Sequence, residues 1–81
     1  MVRPISEESA RTALAREASE ASNAEFYKAE RRQHGWVFGW RPERGTPPMG
    51  TRTWIVADNG RVRVLGYKDD WDDAIAQELV I

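Results

Sequence analysis

The hexapeptide Gly35-Trp36-Val37-Phe38-Gly39-Trp40 packs three aromatic rings and two glycines into six positions. In an extended chain the side chains alternate, which puts Trp36, Phe38 and Trp40 on one face and Val37 on the other. The segment therefore predicts a buried strand with more aromatic area than one strand of a small domain needs, and Trp36 is expected in the core. Gly39 either lets another group approach the second face closely or marks a bulge.

The chain has 81 residues, which predicts a single domain over 1–81. A domain of this size buries roughly 60 to 65% of the surface its unfolded chain exposes, so its stability rests heavily on those aromatics. Cysteine is absent, which removes disulfides and thiolate metal sites and fits a reducing cytoplasm. No run approaches the roughly 20 apolar residues of a membrane span, and Met1-Val2-Arg3-Pro4 lacks the apolar region of a signal peptide. The expectation is a soluble, unprocessed, cytoplasmic protein without membrane contact. Arg-rich, Lys-poor and Ala-rich usage is what a GC-rich bacterial genome produces.

Net charge is −1, but it is unevenly spread. Residues 31–63 hold Arg31, Arg32, Arg41, Arg44, Arg52, Arg61 and Arg63 against Glu43 and Asp58, a balance of +5, whereas 64–81 has a balance of −4. Such a division predicts either a polarised surface or pairing between the two sets.

Ser6 is a good N-cap, and Glu7 and Glu8 favour the positive end of a helix, here expected over 6–22. Its narrow apolar face consists of Ala10, Ala13, Leu14, Ala18 and Ala21, with Leu14 as anchor and Ser22-Asn23 as the stop. Phe26, Tyr27 and Ala29 fit a continued helix or a strand; the turn expected at His34-Gly35, followed by the aromatic run, favours the strand as a hairpin partner. Residues 41–51, rich in Pro and Gly, form a long loop, of the kind that carries contacts or simply connects strands. Asn59-Gly60 predicts a two-residue type I′ hairpin, both residues at positive φ. Its register pairs Ala57 with Val62 and Ile55 with Val64, so Ile55, Ala57, Val62 and Val64 face the core. A second helix is expected over 69–80, with Asp69 as N-cap and Trp71, Ala74, Ile75 and Leu79 packing on the sheet. The predicted fold is α+β: an N-terminal helix, an antiparallel sheet of three to four strands, and a C-terminal helix packed on the sheet. Both helices are expected on one sheet face.

Catalytic chemistry has little to build on. His34 is the single histidine, set in a turn, and the serines and threonines lack a nucleophile context. No glycine-rich phosphate loop is present. The Asp69-Asp70-Trp71-Asp72-Asp73 cluster lacks the central Gly and distal Glu of a calcium loop; it reads as a charged helix start or as an acidic patch for a basic partner. Neither catalysis, metal nor cofactor is expected.

Gly35-Trp36-Val37-Phe38, then Gly50-Thr51-Arg52-Thr53-Trp54-Ile55-Val56, Asn59-Gly60-Arg61-Val62 and Leu65-Gly66 together resemble the YrhB-like immunity-protein family. The resemblance covers roughly residues 10–80. It implies a small bacterial α+β protein, encoded beside a toxin that it binds and neutralises. The expected function is accordingly non-enzymatic occlusion of a toxin's functional surface. Candidate partner-binding residues are Trp40, Arg41 and Arg44 at the start of the loop, Arg61 and Arg63 on the hairpin, and Asp69, Asp70, Asp72 and Asp73. Two alternatives follow from the residues: single-stranded nucleic acid stacking on sheet Trp rings beside Arg, and a small chaperone-like holding protein. An open sheet edge would also allow a homodimer.

Overall fold

A computed structural model describes residues 3–66 and 70–79. The architecture is α+β, with an N-terminal helix, a four-stranded antiparallel sheet and a C-terminal helix. Helix α1 spans Glu7–Glu17, and the Ser6 hydroxyl caps it by accepting from the Ser9 backbone N–H at 3.1 Å. The helix stops earlier than expected. Ala18 leaves helical geometry (φ −151°, ψ 87°) and a short 3₁₀ turn, Ser19–Ser22, follows. Ser22 Oγ donates to the Ser19 carbonyl at 2.7 Å, the local competition that weakens serine-rich helices. Arg11 holds the bend: its guanidinium donates to the carbonyls of Ser22 and Tyr27 at 3.1 and 3.3 Å, its Nε bonds Glu7, and it lies 5.1 Å from the Phe38 ring centre.

The strands are β1 (Tyr27–Arg32), β2 (Gly35–Trp40), β3 (Trp54–Ala57) and β4 (Val62–Val64), in the spatial order β1-β2-β3-β4. The ambiguous segment before the aromatic run is thus a strand, joined to β2 through Gln33-His34 with Arg32 opposite Gly35. Trp36, Phe38 and Trp40 share one face, as expected, and pack with Ala10, Leu14, Ala18 and Ala21. Trp36 is half-buried rather than core: its indole N–H donates to the Ile5 carbonyl at 2.8 Å and Arg31 lies over its ring.

The helices cover opposite faces of the sheet, not one. Val37, Ile55, Ala57 and Leu65 form a second core with Ala74 and Ile75 of the C-terminal helix α2 (Trp71–Leu79). A sheet whose central strands are apolar on both sides has to be covered on both sides. Gly35, rather than Gly39, is the point of close approach. A Cβ at Gly35 would lie 2.6 Å from the Val56 carbonyl oxygen and 3.1 Å from Ile75 Cγ2, whereas at Gly39 the nearest atom is Thr53 Oγ1 at 4.0 Å. Nor is Gly39 a bulge, since it pairs in register with Lys28.

The β3–β4 hairpin differs from expectation by one residue. Trp54 pairs with Val64, Ile55 with Arg63 and Val56 with Val62. Only Gly60 has positive φ (86°), and Ala57 closes a three-residue loop by donating its N–H to the Arg61 carbonyl and accepting from Gly60 N–H. This is a type I turn followed by a left-handed glycine bulge, the next commonest hairpin after the two-residue form. The cause is tertiary. Asp58 is drawn into contact with β1 and the N-terminal segment, while the Asn59 side chain donates to the Glu78 carbonyl at 2.8 Å and accepts from Arg61 N–H at 3.0 Å. One residue of slip exchanges the faces of β4. Val62 therefore joins the α1 side beside Val56, Val64 is exposed next to Trp54, and Arg63 turns toward α2, where it donates to Gln77 Oε1 at 2.7 Å.

Helix α2 is capped by Asp70, whose Oδ1 accepts from the backbone N–H groups of Asp72 and Asp73 at 2.9 and 3.2 Å. Asp69, the expected cap, lies outside the described residues, as does residue 80. Ala74 and Ile75 are buried and Leu79 packs against them, but Trp71 is 40% exposed and lies beneath Arg32 instead of in the core.

Candidate functional site

The end of the sheet where β2 leaves and β3 enters gathers several aromatic side chains around one open surface. Trp40 ends β2 half-buried, stacked on Phe26 (centroids 5.6 Å apart, planes at 16°) and edge-on to Tyr27 at 5.8 Å. Its indole N–H donates to the Gly45 carbonyl at 2.9 Å, which anchors the loop. Arg44 lies over the Phe26 ring, 5.2 Å from its centre, so guanidinium, phenyl and indole form one contact cluster. Arg44 also donates to the Glu25 carbonyl and carboxylate, and Arg41 to the Ala24 carbonyl at 2.8 Å. Pro42 starts the 3₁₀ turn Pro42–Arg44 that brings both guanidinium groups back over residues 24–26. Trp40, Arg41 and Arg44 are therefore brought together, with the Trp40 N–H and part of each guanidinium's donor set spent within the chain.

Beside this cluster lies a hollow of about 580 Å³, walled by Phe26, Tyr27, Trp40 and Trp54 with Glu20 and Arg52 also on its lining. Met49 stands at its rim, fully exposed. The reason is local: Pro48 to Thr51 form a turn in which the Pro48 carbonyl accepts from Thr51 N–H and Thr51 Oγ1 at 3.1 and 2.7 Å. Gly50 takes φ 89° and Met49 occupies the tip, the pattern of a type II turn. A second hollow of about 520 Å³, lined by Leu65 and Trp71, shares Gly50, Thr51 and Arg52 with the first. The loop thus forms a ridge between two hollows.

The remaining expected residues lie elsewhere. Arg61, exposed, borders a polar hollow with Arg16, Glu17 and Glu78, and Arg63 is engaged by Gln77. The acidic cluster is partly neutralised. Asp70 is used as a cap, and Asp72 receives a bidentate contact from Arg32 at 3.1 and 2.8 Å. That hydrogen bonding holds the Asp72 carboxyl below its ordinary range and raises Arg32. Asp73 is exposed beside them. Part of the sequence's charge division is thereby resolved by the Arg32–Asp72 pair, whereas Arg31 pairs with Asp58 inside the basic segment.

Helices pack on both sheet faces, and the aromatic surface left open is at the end beside Trp40 and Trp54. Among the described residues no group of three or more His, Cys, Asp or Glu could hold a metal ion, and no helix is long and apolar enough to cross a membrane. Sequence reasoning passed over Phe26, Tyr27 and Met49 as site residues, and weighed Arg52 and Trp54 only as part of a nucleic-acid surface. Met49 carried a signal, since it is a large apolar side chain in a loop otherwise made of Arg, Pro, Glu, Gly and Thr. Comparison with protein families, with curated proteins and with solved structures finds no match.

Proposed function

We propose that this protein is a non-enzymatic binding protein of the cytoplasm, acting as an immunity protein that occludes the functional surface of a cognate bacterial toxin. The observation that carries the binding reading is the exposed Met49 ridge beside the Phe26, Tyr27, Trp40 and Trp54 hollow, flanked by the Arg44 cluster. Aromatic residues, Met and Arg are the types enriched in protein–protein interface cores, and aromatic and Arg anchors dominate their energetics. The toxin is what the resemblance to YrhB-like proteins adds; the hollow itself asks only for an apolar anchor from a folded partner.

The test is co-expression of the chain with the product of each neighbouring gene, read by growth and by recovery of a stable complex. The expected result is one toxic product whose effect this chain relieves, with rescue lost in Met49→Asp although its circular dichroism matches the parent. Absence of any toxic neighbour, or rescue that Met49→Asp leaves intact, would remove the reading.

A further inference from the structure

The Met49 ridge borders the aromatic hollow on one face, the arrangement that a two-fold contact between copies requires. We propose that the protein forms a two-fold dimer in which Met49 of each copy seats in the aromatic hollow of the other. Met49 supplies the anchor, and the Glu20 and Arg52 charges of the hollow favour a second copy as the occupant.

Met49 is fully exposed at the tip of a bonded turn, so its backbone has little freedom left to lose on docking and the ordering cost falls on the side chain. Its flexible thioether suits a wall of Phe26, Tyr27, Trp40 and Trp54 rings, because sulfur–aromatic contacts are favourable and an unbranched side chain fills irregular space. The hollow also carries one acid and one base, Glu20 and Arg52, both exposed and neither in an ion pair among the described residues. A two-fold axis brings residue i of one copy to residue j of the other and j to i. Glu20 and Arg52 thus meet each other twice across the interface, once on each side of the axis. Val64, exposed next to Trp54, extends the same apolar face. Net charge of −1 adds little repulsion between copies.

The alternative homodimer, through a sheet edge, is disfavoured at β1, where Lys28, Glu30 and Arg32 alternate along the strand. Because the same face is assigned to the toxin, the dimer and the heterologous complex exclude one another. Self-association nevertheless needs no toxin, so its test stands apart from that of the binding function.

Sedimentation of the purified full chain over a micromolar to millimolar series is the experiment. The parent is expected to pass from monomer to dimer mass, and Met49→Lys to remain monomeric throughout. Glu20→Arg and Arg52→Glu each place like charges together twice and are expected to raise the dissociation constant at least about tenfold. The double exchange Glu20→Arg/Arg52→Glu restores opposite charges and is expected to recover the parent constant. A parent that stays monomeric at millimolar concentration, a Met49→Lys variant that dimerises like the parent, or a double exchange that fails to recover dimerisation would each overturn the proposal.

Discussion

Asp58 illustrates how one residue can decide more than its own contacts. Its carboxylate is buried and receives both Arg31 amino groups, at 2.7 and 2.9 Å, and the Ile5 N–H at 3.3 Å. The Arg31 hydrogen bonds lower the Asp58 pKa, more than burial raises it, and the Ile5 bond adds to the lowering. A carboxyl whose folded pKa is depressed contributes stability above its unfolded value, about 3.9, and that contribution is lost as pH falls through the folded value. Urea unfolding followed against pH is therefore expected to show stability level above about pH 5 and falling below about pH 4. Asp58→Asn keeps the shape and removes the charge. With Arg31 partly exposed and able to rehydrate, the expected loss near neutral pH is about 2 kcal/mol, with a shallower acid slope than the parent. An unchanged slope would assign the acid sensitivity to other carboxylates, Asp72 first among them.

Among the elements, the contact of β2 with β3 and α2 turns on a missing side chain. A Cβ at Gly35 would meet the Val56 carbonyl oxygen at 2.6 Å and the Ala57 Cα at 3.0 Å, both backbone atoms that cannot rotate away. Gly35→Ala is expected to cost roughly 2 to 3 kcal/mol through overpacking. Gly39→Ala, four positions along the same strand, meets only Thr53 Oγ1 at 4.0 Å and is expected to stay within about 0.5 kcal/mol of the parent. Chemical denaturation of the two variants side by side checks the pair; equal effects would mean that α2 does not press on the sheet at Gly35.

For the molecule as a whole, two apolar layers share a single sheet. Leu14, Phe38 and Val56 lie on the α1 side, and Val37, Ile55 and Ile75 on the α2 side. Leu14 and Ile75 are buried to within 1% of full burial, and truncating either to Ala is expected to cost about 3 kcal/mol. Because β2 and β3 contribute to both layers, neither layer can be lost alone. Far-ultraviolet circular dichroism and tryptophan fluorescence should therefore report one coincident transition in the parent and in both variants. A transition in Ile75→Ala that appeared first by only one probe would show that α2 detaches before the rest.

Much of this fold was legible along the chain. The alternation of Trp36, Val37 and Phe38 specifies a two-sided strand, Ser6 and the alanine spacing specify α1, and the acidic run marks the start of α2, because local propensity and periodicity act over a few neighbouring residues. The Arg44 corner was half visible in the loop's composition. What the tertiary structure decided has partners far away in sequence. Arg11 bends the chain after Glu17 by reaching Ser22 and Tyr27; Glu78 and Arg31 hold the Asp58-Asn59 turn and so shift β4 by one residue; and the second apolar face of the sheet, not its loop lengths, places α2 opposite α1. The aromatic hollow belongs to the same class. Phe26, Trp40, Met49 and Trp54 come from four segments, and only folding puts their side chains against one space.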